Sequence, residues 1–243
     1  ASVIADSSGE FRIEVSFVKK LSGNAPGKDY RITVEALRPA VETDRIRVRA
    51  ERLYDEANRM RLTSDGDARA GSVKIFQEAA ALFARIGDRH GEAFTYHSLG
   101  QINSLLSDFE ASRTYHAKAA AIFRELDMRP QYARAITDQA AVFYFEHRLD
   151  EAERLCLEAL EIFEALNDRR GQAEIIGNLG AIQDNKGQPR KALEYYFRAL
   201  PILQAENDRT QESSILSRIG SVYDDLGEPF PALDYYEKAL RIR

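Results

Sequence analysis

Along most of the chain, apolar residues fall three and four positions apart, with polar residues between them. The whole pattern recurs when the chain is slid along itself by forty residues. Residues 87–126, 127–166 and 167–206 are three copies, and residues 207–243 are a fourth that stops three short. Small residues hold one register: Gly100, Ala140, Gly180 and Gly220. Twelve positions on come Ser112, Ala152, Ala192 and Ala232, and seven further are Ala119, Ala159, Ala199 and Ala239. Large apolar residues sit between them, namely Leu99, Leu179 and Ile219 in the first half and Tyr115, Leu155, Tyr195 and Tyr235 in the second. Each half therefore predicts an amphipathic helix. Small residues at matched points on two helices let the backbones approach closely while the large ones fill the flanks. Each unit is expected to be an antiparallel helix pair, and the tandem units a solenoid.

The punctuation agrees. Pro189 and Pro229 share a register that suits a first helical residue, where an N–H is not needed. Gly187 and Gly227, two residues earlier, suit the left-handed residue that ends the preceding helix. Asp88, Asp168 and Asp208 are placed to cap the first helix of their units, and Asp108 a second helix. Residues 46–86 make a divergent first unit. Leu53, Ala57 and Met60 fit its first helix, TSDGDARAG supplies a longer turn, and Ser72, Phe76, Ala79 and Phe83 return to the common register. Terminal repeats are atypical because they cap the stack.

The two ends differ from the middle. Phe11, Ile13, Val15 and Phe17 alternate with polar residues, as do Tyr30, Ile32, Val34 and Ala36, which is the period of a strand with one apolar face. Two adjacent antiparallel strands are expected within residues 1–43, packed on the first helices or on a β-domain further upstream, because two strands alone are marginal in water. At the other end, Leu240 and Ile242 finish a helix with no polar capping helix after it, which reads as an array cut from a longer one. Self-association through such uncapped ends is a further expectation.

The register resembles the tetratricopeptide repeat, whose signature runs aromatic, Leu-Gly, Tyr, then Ala, aromatic, Ala. The matching residues are Ile176, Leu179, Gly180, Gln183, Ala192, Tyr196 and Ala199 in one copy, and Leu216, Ile219, Gly220, Tyr223, Ala232, Tyr236 and Ala239 in the next. The first position is aromatic only as Tyr96, and the family's late Pro is missing. A unit of forty residues resembles the long-repeat subclass of kinesin light chains and of bacterial proteins that carry a caspase-like CHAT peptidase domain. Residues 30–39 are similar to a segment that precedes the repeats in those bacterial proteins. The resemblance implies a mostly α fold: a right-handed α-solenoid with a short N-terminal β segment, the array spanning residues 44–243 in units of about 46–86, 87–126, 127–166, 167–206 and 207–243.

Composition narrows the function class. The chain has 243 residues, 30% of them charged, and a net charge of −5, which disfavours nucleic acid as the main partner. No run is apolar and long enough to insert into a membrane. The one cysteine, Cys156, shares the register of Phe76, His116, Tyr196 and Tyr236, a core position, so it reads as a buried inert thiol rather than a nucleophile. None of the four histidines (His90, His97, His116, His147) has the spacing of a helical metal pair, and no metal or cofactor is expected. No phosphate-binding loop or Ser-His-Asp signature is present. The chain reads as non-enzymatic.

What remains is shape. Stacked helix pairs curve and present an extended concave face, and by the family resemblance the first helix of each pair lines it. The candidate contact residues there are His97, Gln101, Arg134, Tyr144, Phe145, Glu174, Asn178, Asp184, Arg218 and Asp224. Small residues at Gly177, Ala181, Ser217 and Ser221 leave room for a chain. Asn178 matches the position where the family uses Asn to hold a bound backbone. Tyr144 and Phe145 suit an apolar pocket, and Arg134 and Arg218 suit an acidic group. The family's basic clamp for a terminal carboxylate is not reproduced. The expected ligand is a peptide or partner helix in the groove. The alternative reading is a regulatory or scaffolding arm of a larger protein whose CHAT-like catalytic domain lies beyond this chain, or a plain spacer.

Overall fold

A computed structural model describes residues 41–63 and 65–242. Ten α-helices follow one another there: α1 (Glu42–Arg61), α2 (Gly66–Arg85), α3 (Arg89–Leu105), α4 (Phe109–Glu125), α5 (Arg129–Phe145), α6 (Leu149–Ala165), α7 (Arg169–Asn185), α8 (Pro189–Ala205), α9 (Arg209–Asp225) and α10 (Pro229–Ile242). No strand occurs among the described residues; the two strands expected at residues 11–17 and 30–36 lie outside them. From α3 to α9 every helix has 17 residues, and from α4 onward each starts twenty after the one before. The forty-residue period is thus two nearly equal helices and two three-residue turns.

Those turns share one geometry. The middle residue has positive φ in all eight from α2 onward: Gly87, Ser107, Asp127, His147, Asn167, Gly187, Asn207 and Gly227. Each turn carries the same pair of backbone bonds. After α6, for instance, Asn167 N–H donates to Glu164 O at 3.0 Å and Asp168 N–H to Phe163 O at 2.9 Å. This is the Schellman closure, which satisfies the last carbonyls of a helix. The following residue then starts the next helix. Asp88, Asp108, Asp168 and Asp208 do so with a side chain that accepts the N–H of the residue three on, at 2.9–3.1 Å. One residue thus ends one helix and caps the next, which fixes the angle between them.

The small residues do what their register requires. A Cβ on Gly100, Gly180 or Gly220 would come within 2.6, 2.5 or 2.8 Å of the ring of His116, Tyr196 or Tyr236. Ala119, Ala152, Ala159, Ala192 and Ala199 are fully buried. Between consecutive pairs the approach is as close: a Cβ on Gly171 would lie 2.5 Å from the Phe163 ring. The core is one large cluster from α3 to α9 with two smaller clusters among α1, α2 and α3. Its fully buried members include Phe76, Leu99, Phe123, Ile175, Leu179, Tyr196 and Ile219.

The first unit departs from the expectation in one respect. The segment TSDGDARAG is not a long turn, because α2 already starts at Gly66. Asp65 accepts the N–H groups of Asp67 at 2.9 Å and Ala68 at 3.3 Å, and this cap lets the Ala-rich stretch join the helix. The extra residues lengthen α1 and α2 to 20 residues each.

Contacts between alternate helices set the curvature. Besides packing on its neighbours in sequence, α1 touches α3, α3 touches α5, and α7 touches α9. No second helix packs to that extent on another second helix. The odd-numbered helices therefore lie on the inner, tighter side.

Candidate functional site

The inner faces of α3, α5, α7 and α9 carry three adjoining clefts. The first, about 310 Å³, lies between α3 and α5 and includes Gln101, Leu105, His116, Asp138 and Ala141. The second, about 150 Å³, is bounded by Ala141, Tyr144, Phe145, Asn178, Ala181 and Arg218, with Cys156 at its floor. The third, about 130 Å³, is bounded by Glu174, Gly177, Asn178, Ser214 and Arg218. Ala141 is common to the first two clefts, and Asn178 and Arg218 to the last two. The clefts are thus parts of one groove crossing four helices. A larger but shallow depression, about 460 Å³, lies elsewhere, at the turns that follow α5 and α7. Its wall is tied up by Lys186, which pairs with Asp150 and Glu153.

The chemistry changes along the groove. Leu105 and Phe145, at equivalent positions, are each 59% exposed. Phe145 stacks on Phe109 with ring centres 5.9 Å apart and meets Tyr144 edge-on at 5.7 Å. The next two residues at this position are Asn185 and Asp225. Asn185 donates to the Tyr144 hydroxyl at 2.7 Å, tying α7 to α5 across the groove. Toward α9 the face turns polar, with Asp184, Asp224, Asp225 and Arg218. Burial and the nearby Asp225 push the Asp184 carboxyl above its ordinary value, and Arg218 opposes them. The side-chain amide of Asn178 has no hydrogen-bond partner among the described residues, so it faces the groove with its donors and acceptor unused.

The sequence-based candidates thus divide. Gln101, Tyr144, Phe145, Glu174, Asn178 and Arg218 line the clefts. Asp184 and Asp224 lie on the same helices beyond them, and Arg134 is exposed beside Glu174, whose charge it offsets. His97 is turned across to α5, where its Nε2 lies 2.9 Å from Asp138 Oδ2. One residue has a second role. Gly177 bounds the third cleft, but a Cβ there would lie 2.9 Å from Ile215 Cδ1, so it also serves the close approach of α7 and α9.

A second constellation was not visible in sequence spacing. His97, His116 and Asp138 each offer one ligand atom, and these three atoms lie within 4.8 Å of one another. They come from α3, α4 and α5. Gln101 Nε2 also donates to Asp138 Oδ2, at 3.3 Å. His116 is buried, and its Nδ1 has no partner. Burial pushes this imidazole down to about 4, against the pull of Asp138. For Asp138, burial works toward a higher value, but the His97 hydrogen bond and the flanking rings hold it below the usual carboxylate range. Cys156 is 2% exposed, and burial pushes its thiol up to about 12, so it has no nucleophilic character at neutral pH.

Solved structures with this architecture include the apo form of RapI, 18% identical, with a TM-score of 0.73, covering 79% of this chain and 69% of that one. A kinesin light chain of Podosopora anserina with nearly identical TPR-like repeats is 13% identical at a TM-score of 0.63, covering 83% and 96%. A Rap protein complexed with competence and sporulation factor is 15% identical at 0.63, covering 83% and 53%. At these identities the likeness shows the fold. No curated protein matches the sequence. Sequence models described as tetratricopeptide repeat match residues 70–125, 131–205 and 213–243, more than half of the whole. The forty-residue register, the small residues under aromatic rings and the tandem helix pairs are the same facts in structural form: the chain belongs to the tetratricopeptide repeat family.

Proposed function

We propose that this array is a protein-interaction module that binds one extended peptide or partner helix along the inner groove, without catalysing a reaction on it. The observation that carries this reading is the pair of exposed apolar residues, Leu105 and Phe145, at the rim of clefts that a folded chain has no need to leave open. An apolar side chain of the ligand fits between Tyr144, Ala181 and Ile182. Asn178 then offers both a donor and an acceptor to the ligand's backbone. The polar end, with Arg218 near Asp184 and Asp225, sets orientation and register by charge. Binding of competence and sporulation factor by a Rap protein of the same fold is consistent with such use.

Panning a random peptide library on the parent and on Tyr144→Ala/Asn178→Ala tests this. Enrichment of an apolar-anchored consensus on the parent, lost on the variant, is expected. Equal enrichment on both, or none on the parent, would contradict the reading.

A further inference from the structure

We propose that His97, His116 and Asp138 form a binding site for one borderline divalent metal ion, represented by Zn²⁺, at the edge of the groove. The geometry comes from three helices that the fold already holds together. His97 belongs to α3, His116 to α4 and Asp138 to α5, so the site bridges two consecutive helix pairs. Their ligand atoms lie within 4.8 Å of one another, and the His97–Asp138 pair is at 2.9 Å. A tetrahedral ion with bonds of about 2.0–2.2 Å holds its ligands roughly 3.3 Å apart. His97 and Asp138 sit at the groove edge, with side chains 18% and 36% exposed, so modest turns of these two close the gap to the fixed His116 ring.

Two imidazoles with one carboxylate suit zinc, nickel, copper or iron, and exclude magnesium and calcium, which take oxygen ligands. Gln101, already hydrogen-bonded to Asp138, is placed to orient that carboxylate from the second shell of the site. The cleft that runs past Gln101, His116 and Asp138 leaves the remaining coordination position open to solvent.

The second, independent observation is the His116 ring itself. Its register is filled by Phe76, Cys156, Tyr196 and Tyr236 in the other units, and an apolar group over Gly100 is all that packing asks. An imidazole there adds two nitrogens to a position that is 1% exposed, and Nδ1 finds no partner. Leaving a buried polar atom unpaired is costly. His97 lies edge-on to the same ring, with centres 5.5 Å apart. Tyr196 Oη at the same register is also unpaired, but only His116 faces a second histidine and an aspartate, the donor set an ion would use.

The test uses the full chain without a histidine tag, stripped with chelator and titrated with Zn²⁺ by calorimetry and by thermal denaturation. One Zn²⁺ per chain and a melting temperature raised by Zn²⁺ but not by Mg²⁺ are expected. Affinity should fall about 100-fold or more in His97→Gln, Asp138→Asn and His116→Phe. His116→Phe keeps a ring over Gly100, so it separates ligation from packing. If that variant does not fold, the two substitutions at the groove edge still decide the matter. Co²⁺ should give visible absorption bands in the parent that these variants lack. No Zn²⁺ response in the parent, or an equal response in the three variants, would overturn the proposal.

Discussion

The imidazole of His116 lies flat across Gly100, so that a methyl group on Gly100 would sit 2.6 Å from both Cε1 and Nδ1 of the ring. The same relation joins Gly180 to Tyr196 and Gly220 to Tyr236. Between them the equivalent residues are Ala140 and Cys156, and in the first unit Ala57 and Phe76; all four are buried. Where glycine meets a ring at 2.5–2.8 Å there is no space for a methyl group, and opposite Ala140 the smaller Cys156 stands in the ring's place.

This exchange is testable. Gly180→Ala should lower stability by about 1–3 kcal/mol through overpacking, although alanine in a helix is otherwise favoured by about 1 kcal/mol. Adding Tyr196→Cys should recover part of that loss, because it copies the Ala140–Cys156 solution. Urea midpoints of the two single variants and the double variant measure the coupling. Strict additivity would contradict the packing account.

The turns make a second prediction. Asp168 accepts the Gly171 N–H at 3.0 Å, whereas Gln188 at the equivalent start of α8 makes no such bond. Asp168→Ala should therefore cost about 1 kcal/mol. Gln188→Ala should stay within about 0.5 kcal/mol. Comparable losses in both would mean that the backbone closure alone sets these turns.

Pro201 lies inside α8 and on its exposed side. It removes one helical hydrogen bond without a compensating contact in the core. Pro201→Ala should raise stability by about 1–3 kcal/mol, read as a higher melting temperature. A fall would show that the interruption serves packing.

Cys156 gives a pH dependence. Its folded value of about 12 exceeds the ordinary 9.0 because burial penalises the thiolate. The folded state therefore binds the proton more tightly than the unfolded one. The stability linked to this group is fully present below pH 9 and is lost as pH rises from there toward 12. Between pH 8 and pH 10 the parent should lose about 1.4 kcal/mol relative to Cys156→Ala. At pH 8, iodoacetamide should label the thiol only in denaturant. Rapid labelling of the folded protein would contradict the burial.

The helix pairs were legible because each side chain that defines them meets its partner at a fixed place in the repeat. Gly100, Ala192 and Ala199 announce close contacts, and Pro189, Gly187 and Asp168 announce the turns. Ser107, Asp127, His147 and Asn207 were less legible, because residues with side chains take positive φ only where the surrounding closure demands it. The second role of Gly177, against Ile215, was not legible, since a small residue marks closeness without saying which neighbour comes close. The His97, His116 and Asp138 cluster was hidden for a similar reason. Its members are neighbours only after three helices have stacked, and spacing along a single helix carries no trace of that.

The groove reading is tested most directly by amide hydrogen exchange of the chain with and without a peptide enriched by panning. Protection should appear on the inner faces of α5, α7 and α9, around Ala141, Tyr144, Asn178 and Arg218, and α6 and α8 should exchange as before. Protection confined to the outer faces of α4, α6 and α8 would place the interaction surface on the opposite side of the array and contradict the account.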